Sequence, residues 1–130
     1  MAKKRMTVLI VDDNDMMRGI LRSMLRGDEY EVIGEARNGA IAVDMAERFK
    51  PDIVCLDVMM PEKNGLDALC EIKVARPETK VVMITSSADP ETVQESIQNG
   101  ASGFIIKPFN AARVLDTLEK VAGQIRQKQG

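Results

Sequence analysis

The sequence contains no histidine and no tryptophan, one tyrosine and three phenylalanines. Without histidine there is no Ser-His-Asp or Cys-His arrangement and no His-ligated metal site. Its two cysteines, Cys55 and Cys70, lie in separate apolar or helical stretches rather than in a Cys-x-x-Cys pair. They offer neither a disulfide framework nor a zinc site and fit a reducing compartment. No apolar run approaches the ~18 residues of a membrane span. The basic start Met1 to Arg5 is followed only by Met6 to Val11, too short a stretch for a signal-peptide core. A cytoplasmic protein with no membrane insertion is expected. Charge of either sign is not in excess: 18 Lys+Arg against 20 Asp+Glu give a formal charge of -2. That argues against direct nucleic-acid binding, which needs a basic face. Chemistry in this chain has to run on carboxylates, hydroxyls and lysines.

What is present is regular. The 130 residues, 45% hydrophobic, suffice for one domain with its own core. Continuous apolar runs at 6–11, 52–57 and 80–85 predict strands buried on both faces. A more polar run over 31–36, with Gly34 inside it, predicts an edge strand, and 104–107 a fifth strand. Between them, amphipathic stretches predict helices over 15–26, 39–49, 64–75, about 90–99 and about 110–125. The first carries a stripe of Met17, Ile20, Leu21, Met24 and Leu25, and the last a stripe of Val114, Leu115, Leu118, Val121 and Ile125. Residues 124–130 read as a polar tail. Strands alternating with helices predict an α/β fold, (βα)5, a doubly wound parallel sheet in one domain over 1–130, its core at about 7–122.

In such a sheet, ligands bind beyond the carboxyl ends of the strands. The first run ends in Asp12-Asp13, the third in Asp57, the fourth in Thr85 and the fifth in Lys107. If the first and third strands are neighbours, three carboxylates converge, and like charges at that separation must protonate or bind a cation. Oxygen ligands alone favour a hard cation, and few carboxylates favour Mg²⁺ over Ca²⁺. With a hydroxyl and an ammonium added, the set suits a phosphoryl group attacked by a carboxylate. Taken singly each residue has a plainer reading: Asp12, Asp13 and Asn14 as a helix cap, Asp57 as a turn residue, Lys107 as a solvated strand end. Their complementary chemistry at four strand ends favours a shared site. The stretch Gly34 to Gly39 has phosphate-loop spacing but is followed by Ala40-Ile41 where Lys and Ser/Thr are required, so it is not one.

Val11-Asp12-Asp13, Leu56-Asp57-Val58-Met59-Met60-Pro61 with Gly65, Ile84-Thr85-Ser86 and Lys107-Pro108-Phe109 together resemble the receiver domain of two-component response regulators, in order and spacing, from about Thr7 to Ala122. The resemblance implies a CheY-like, flavodoxin-like sheet of strand order 2-1-3-4-5; CheY is itself a standard example of that order. It implies that Asp57 accepts a phosphoryl group from the phosphohistidine of a sensor histidine kinase or a histidine phosphotransfer protein. Asp12, Asp13, Asp57 and the backbone carbonyl of Met59 would hold Mg²⁺, with Mn²⁺ as a substitute. Thr85, Ser86 and Lys107 would bind the phosphoryl group. Thr85 and Phe104 would form the switch that alters the face of residues 89–124, where an output protein docks. The Lys107-Pro108 bond would be cis. Met59 and Ser87, two residues beyond Asp57 and Thr85, would flank the path of an attacking water. A regulator rather than an enzyme is implied, with only its own phosphorylation and dephosphorylation, monomeric or dimerising when phosphorylated. A phosphatase with an aspartyl-phosphate intermediate would need a second acid at 59, where Met stands. A flavodoxin-like cofactor binder would need a Ser/Thr/Gly-rich loop where Asp12 to Asp15 stand. Both readings fit less well, and a pseudo-receiver is disfavoured by the intact acids, Thr85 and Lys107.

Overall fold

The computed structural model describes residues 5–27, 29–60, 63–86 and 89–129. Its strands are β1 (Met6–Val11), β2 (Tyr30–Ala36), β3 (Ile53–Asp57), β4 (Lys80–Thr85) and β5 (Gly103–Ile106). Its helices are α1 (Asp15–Met24), α2 (Gly39–Phe49), α3 (Gly65–Ala75), α4 (Pro90–Gln98) and α5 (Ala111–Gln129). All strand pairs are parallel, in the order β2-β1-β3-β4-β5. The expected (βα)5 sheet is therefore present.

Two cores explain the continuous apolar runs. Alternate residues of one strand face opposite sides of a sheet. Val8, Ile10, Cys55, Val82, Ile84 and Ile105 pack with α1 and α5, while Leu9, Val11, Val54, Leu56, Val81 and Met83 pack with α2 and α3. Both sides are covered, so the interiors of the central strands are apolar and their polar residues fall near the ends, Thr7 and Lys80 toward the amino ends and Asp57 and Thr85 at the carboxyl ends. β2 lies at an edge, as its polar residues predict. The β1–β2 register skips one residue, pairing Val8 with Val32 but Leu9 with Gly34, a bulge beside the glycine.

The caps follow the side chains. Asn14, Asn38, Asn64 and Asp89 each accept a hydrogen bond from the N–H three residues on, starting α1, α2, α3 and α4. Gly27, at φ +138°, and Gly100, at φ +103°, let the chain turn after α1 and α4.

Three expectations need correction. Ile20, placed in the buried stripe of α1, is 40% exposed. The core-facing centre of that helix lies at Leu21 and Leu25, and at 100° per residue Ile20 falls too far round. Leu115 of α5 is 37% exposed for the same reason, because Val114, Leu118, Val121 and Ile125 define a narrower stripe. The polar end is not a tail: α5 continues through Gln129. Polar residues alone do not stop a helix. Gln, Arg and Lys are good helix formers, no Gly or Pro interrupts 124–129, and Ile125 still packs on the core. Among the described residues no helix is long and apolar enough to cross a membrane.

Candidate functional site

β1 and β3 are neighbours, so the loop after β1 and the last residue of β3 meet. One oxygen from each of Asp12, Asp13 and Asp57 lies within 4.8 Å of the others. Asp12 and Asp57 are buried and Asp13 is exposed, so the cluster opens to solvent on one side. Helix capping falls to Asn14, whose side chain accepts from the Met17 N–H. That leaves the two preceding acids to face the strand ends.

Asp12 is held from several directions. Its N–H donates to the Ala36 carbonyl at 3.1 Å, and its Oδ1 accepts from the Asn14 N–H at 2.9 Å. Its Oδ2 accepts from Lys107 Nζ at 3.0 Å. The same ammonium is 3.6 Å from Asp57 Oδ2, bridging the two buried carboxylates. Lys107 follows β5 directly. Its N–H donates to the Thr85 carbonyl at 2.8 Å, and the peptide bond to Pro108 is cis. Thr85 ends β4 fully buried, next to β3 in the sheet, and Ser86 beyond it is exposed. Phe104 pairs with Met83 across β4 and β5 and packs, half-buried, against the α2/α3 side of the core. Met59 is 66% exposed; its N–H donates to Asp57 Oδ1 at 3.4 Å. Pro61 and Ser87 lie outside the described residues.

The electrostatics single out Asp57. Burial first, then the Asp12 charge, push its carboxyl up to about 6; Lys107 and the Met59 N–H pull the other way, and Asp13 adds a smaller push up. A carboxylate in this state gains from any cation placed beside it. The three carboxylates converge within 4.8 Å of one another, near enough to share one cation. The donor set, all oxygen and anionic, fits a hard divalent cation. Cys55, two residues before Asp57, is no competitor as a nucleophile: burial pushes its thiol up to about 12.

Gly65 sets the backbone around Asp57. Its N–H donates to the Val58 carbonyl at 2.8 Å, and a Cβ there would stand 2.2 Å from the Asp57 carbonyl oxygen and 2.6 Å from Val58 Cα. Both are backbone atoms that cannot rotate away. Gly65→Ala is expected to lower stability by about 1–3 kcal/mol through this overpacking. Urea denaturation of the variant checks it, and unchanged stability would contradict the contact.

The family model of the response regulator receiver domain matches residues 8–119. The chain belongs to that family. It is 44% identical over 115 residues to the chemotaxis protein CheY of Listeria monocytogenes, covering 88% of this chain and 97% of the relative. The solved receiver domain of AraT from Geobacillus stearothermophilus superposes with a TM-score of 0.90 at 26% identity, over 98% of this chain and 100% of that one. CheY of Borrelia burgdorferi, solved in a CheX-CheY-BeF3-Mg complex, gives 0.86 at 30% identity, over 89% of this chain and 88% of that one. The chain is thus a receiver domain of the CheY-like kind, the phosphoacceptor component of two-component signalling.

One part of the site was not anticipated. Arg18, on α1, donates to the Asp12 carbonyl at 2.6 Å and to Glu35 at 3.2 Å. The sequence carries only an indirect sign of it, an arginine three residues after Asp15 beside an apolar stripe.

Proposed function

We propose that Asp57 is the phosphoryl acceptor of a phosphorelay switch. The observation that carries this reading is the pairing of two buried carboxylates, Asp12 and Asp57, beside a third, with one ammonium, Lys107, bridging the buried pair. A carboxylate Oδ of Asp57 attacks phosphorus while the P–N bond to the donor histidine breaks, and the electron pair of that bond leaves with the imidazole. Asp12, Asp13, Asp57 and the Met59 carbonyl would hold Mg²⁺, with Mn²⁺ able to substitute. A bound divalent cation neutralises charge on the transferring group. Lys107 stands beside Asp57 and pairs with the new phosphoryl oxygens, and Thr85 and Ser86 donate hydrogen bonds to them. Met59, with no acid or amide to orient water, favours a long-lived acyl phosphate.

The donor is a sensor histidine kinase or a histidine phosphotransfer protein. Phosphorylation draws Thr85 inward, Phe104 repacks, and the face of residues 89–124 changes for an output protein. Ile97 of α4, Ile106 of β5 and Leu115 of α5 are exposed apolar side chains, one on each element of that face. A partner that covers them buries apolar area. The Borrelia relative, solved with Mg and with CheX, supports both the cation and a docking partner. On this reading residues 1–130 act as one domain in the cytoplasm, without nucleic acid, monomeric or dimerising when phosphorylated, and with no turnover beyond their own phosphorylation and dephosphorylation.

Incubation with acetyl phosphate followed by intact-mass spectrometry tests the chemistry. One phosphoryl adduct is expected with Mg²⁺ or Mn²⁺ and none in chelator. An adduct of equal yield in chelator would overturn the metal's role. A folded protein that takes no phosphoryl group from acetyl phosphate or from a phosphohistidine donor would be a pseudo-receiver.

A further inference from the structure

Asp12 has four polar attachments, and the one to its carbonyl is the least expected. Lys107, Asn14 and Ala36 hold its carboxylate and its N–H. The carbonyl is held by a side chain from the next helix: Arg18 Nη1 donates to it at 2.6 Å. The rest of the guanidinium is used too. Nε donates to Glu35 Oε1 at 3.2 Å, and Nη2 pairs with Asp15. Glu35, on edge strand β2, is itself fixed by Arg22 Nη1 at 2.6 Å on its other oxygen. Arg18 is far more enclosed than Arg22, with a side chain 13% exposed against 51%. A planar fork with donors in fixed directions can serve a carbonyl and a carboxylate together, which an ammonium cannot.

We infer that Arg18, braced by Glu35, is a positioning residue for Asp12 as a ligand of the divalent cation. The inference rests on the proposed role of Asp12 in holding that cation. Arg18 fixes the peptide plane after Asp12, and hence the turn in which the Asn14 N–H orients the Asp12 carboxylate. Without this tie, the loop 12–14 has to be ordered at the moment the cation binds, and affinity falls. Outer residues that orient metal ligands commonly account for about 10–100-fold in affinity.

The charge of Arg18 acts in the opposite direction, which makes the role measurable. A guanidinium near a cation site repels the cation, so a pure charge effect predicts tighter Mg²⁺ binding in Arg18→Met and no change in Arg18→Lys. Positioning predicts about tenfold or weaker binding in Arg18→Met, and weakened binding in Arg18→Lys although the charge is kept. Calorimetric titration of the full chain with Mg²⁺, with urea unfolding of each variant alongside, decides between them. Arg18→Lys keeps charge and stem, so it serves where Arg18→Met does not fold. Tighter or unchanged Mg²⁺ binding in the folded variants overturns the inference; if stability alone falls, Arg18 is only structural. A wild-type chain that binds no Mg²⁺ overturns the metal-site reading itself, and this inference with it, before any substitution is compared.

Discussion

Asp57→Asn is expected to stabilise the metal-free protein at pH 7 by about 1–3 kcal/mol while removing the proposed phosphoryl acceptor. The basis is the carboxyl of Asp57, pushed up to about 6 from an ordinary 3.8 by burial and by Asp12. One unit of displacement corresponds to about 1.4 kcal/mol, so about 3 kcal/mol is the upper end of the effect. The sign follows from proton counting. Between about pH 4 and 6 the folded state holds a proton on Asp57 that the unfolded chain has released, so this group's contribution to stability is fullest below pH 4. It is lost as pH rises through 6. An amide carries no such charge, so the advantage of Asp57→Asn over wild type should be present at pH 7 and absent near pH 4. Urea unfolding of both proteins in chelator at the two pH values measures it. Equal stabilities at both would mean that Asp57 is not strained by burial. A gain seen at pH 7 alone would mark the site as a stability cost kept for its chemistry, as strained and charged sites commonly are.

Lys107→Met should move stability the other way. The ammonium bridges Asp12 and Asp57, whose side chains are 2% and 7% exposed, and its own is 19% exposed. Methionine keeps much of the apolar stem but leaves two enclosed carboxylates facing each other without a cation. Breaking such an arrangement from one side is expected to cost about 2–4 kcal/mol at pH 7 in chelator. Added Mg²⁺ should recover much of that loss, because a cation bound by the folded state alone stabilises it by linkage. The ammonium also competes with the metal, so the variant should bind Mg²⁺ more tightly than wild type. Denaturation curves with and without Mg²⁺ show both effects together. A variant as stable as wild type in chelator would contradict the bridging role.

How much of this was legible in the sequence depends on how local the cause is. The largely apolar runs at 6–11, 52–57 and 80–85 announce strands covered on both sides, because a doubly covered sheet favours apolar residues at successive positions. The same rule marks Asp12, Asp57 and Thr85 as the places where the chain leaves the sheet, so the candidate site could be read as a set of strand ends. A cap bonds only three residues ahead, so Asn64 and Asp89 start α3 and α4 for a purely local reason. Stripe width was not legible: Ile20 and Leu115 have the right spacing, but which 100° of the helix meets the sheet is decided by the partner strands. α5 runs past the expected end near 125 because polar residues alone do not end a helix, and the Gly and Pro that do are absent from 124–129. The Arg18–Glu35 tie was out of reach, since the bulge at Gly34 decides which β2 side chain meets α1. Gly65 had a motif position but no visible reason until its approach to the Asp57 carbonyl appeared.

The central claim, that Asp57 receives the phosphoryl group, is tested most directly by intact-mass spectrometry after exposure to a phosphohistidine donor and Mg²⁺. Wild-type protein should gain one phosphoryl group, and folded Asp57→Asn should gain none. Equal labelling of the two would place the acceptor elsewhere and contradict the account.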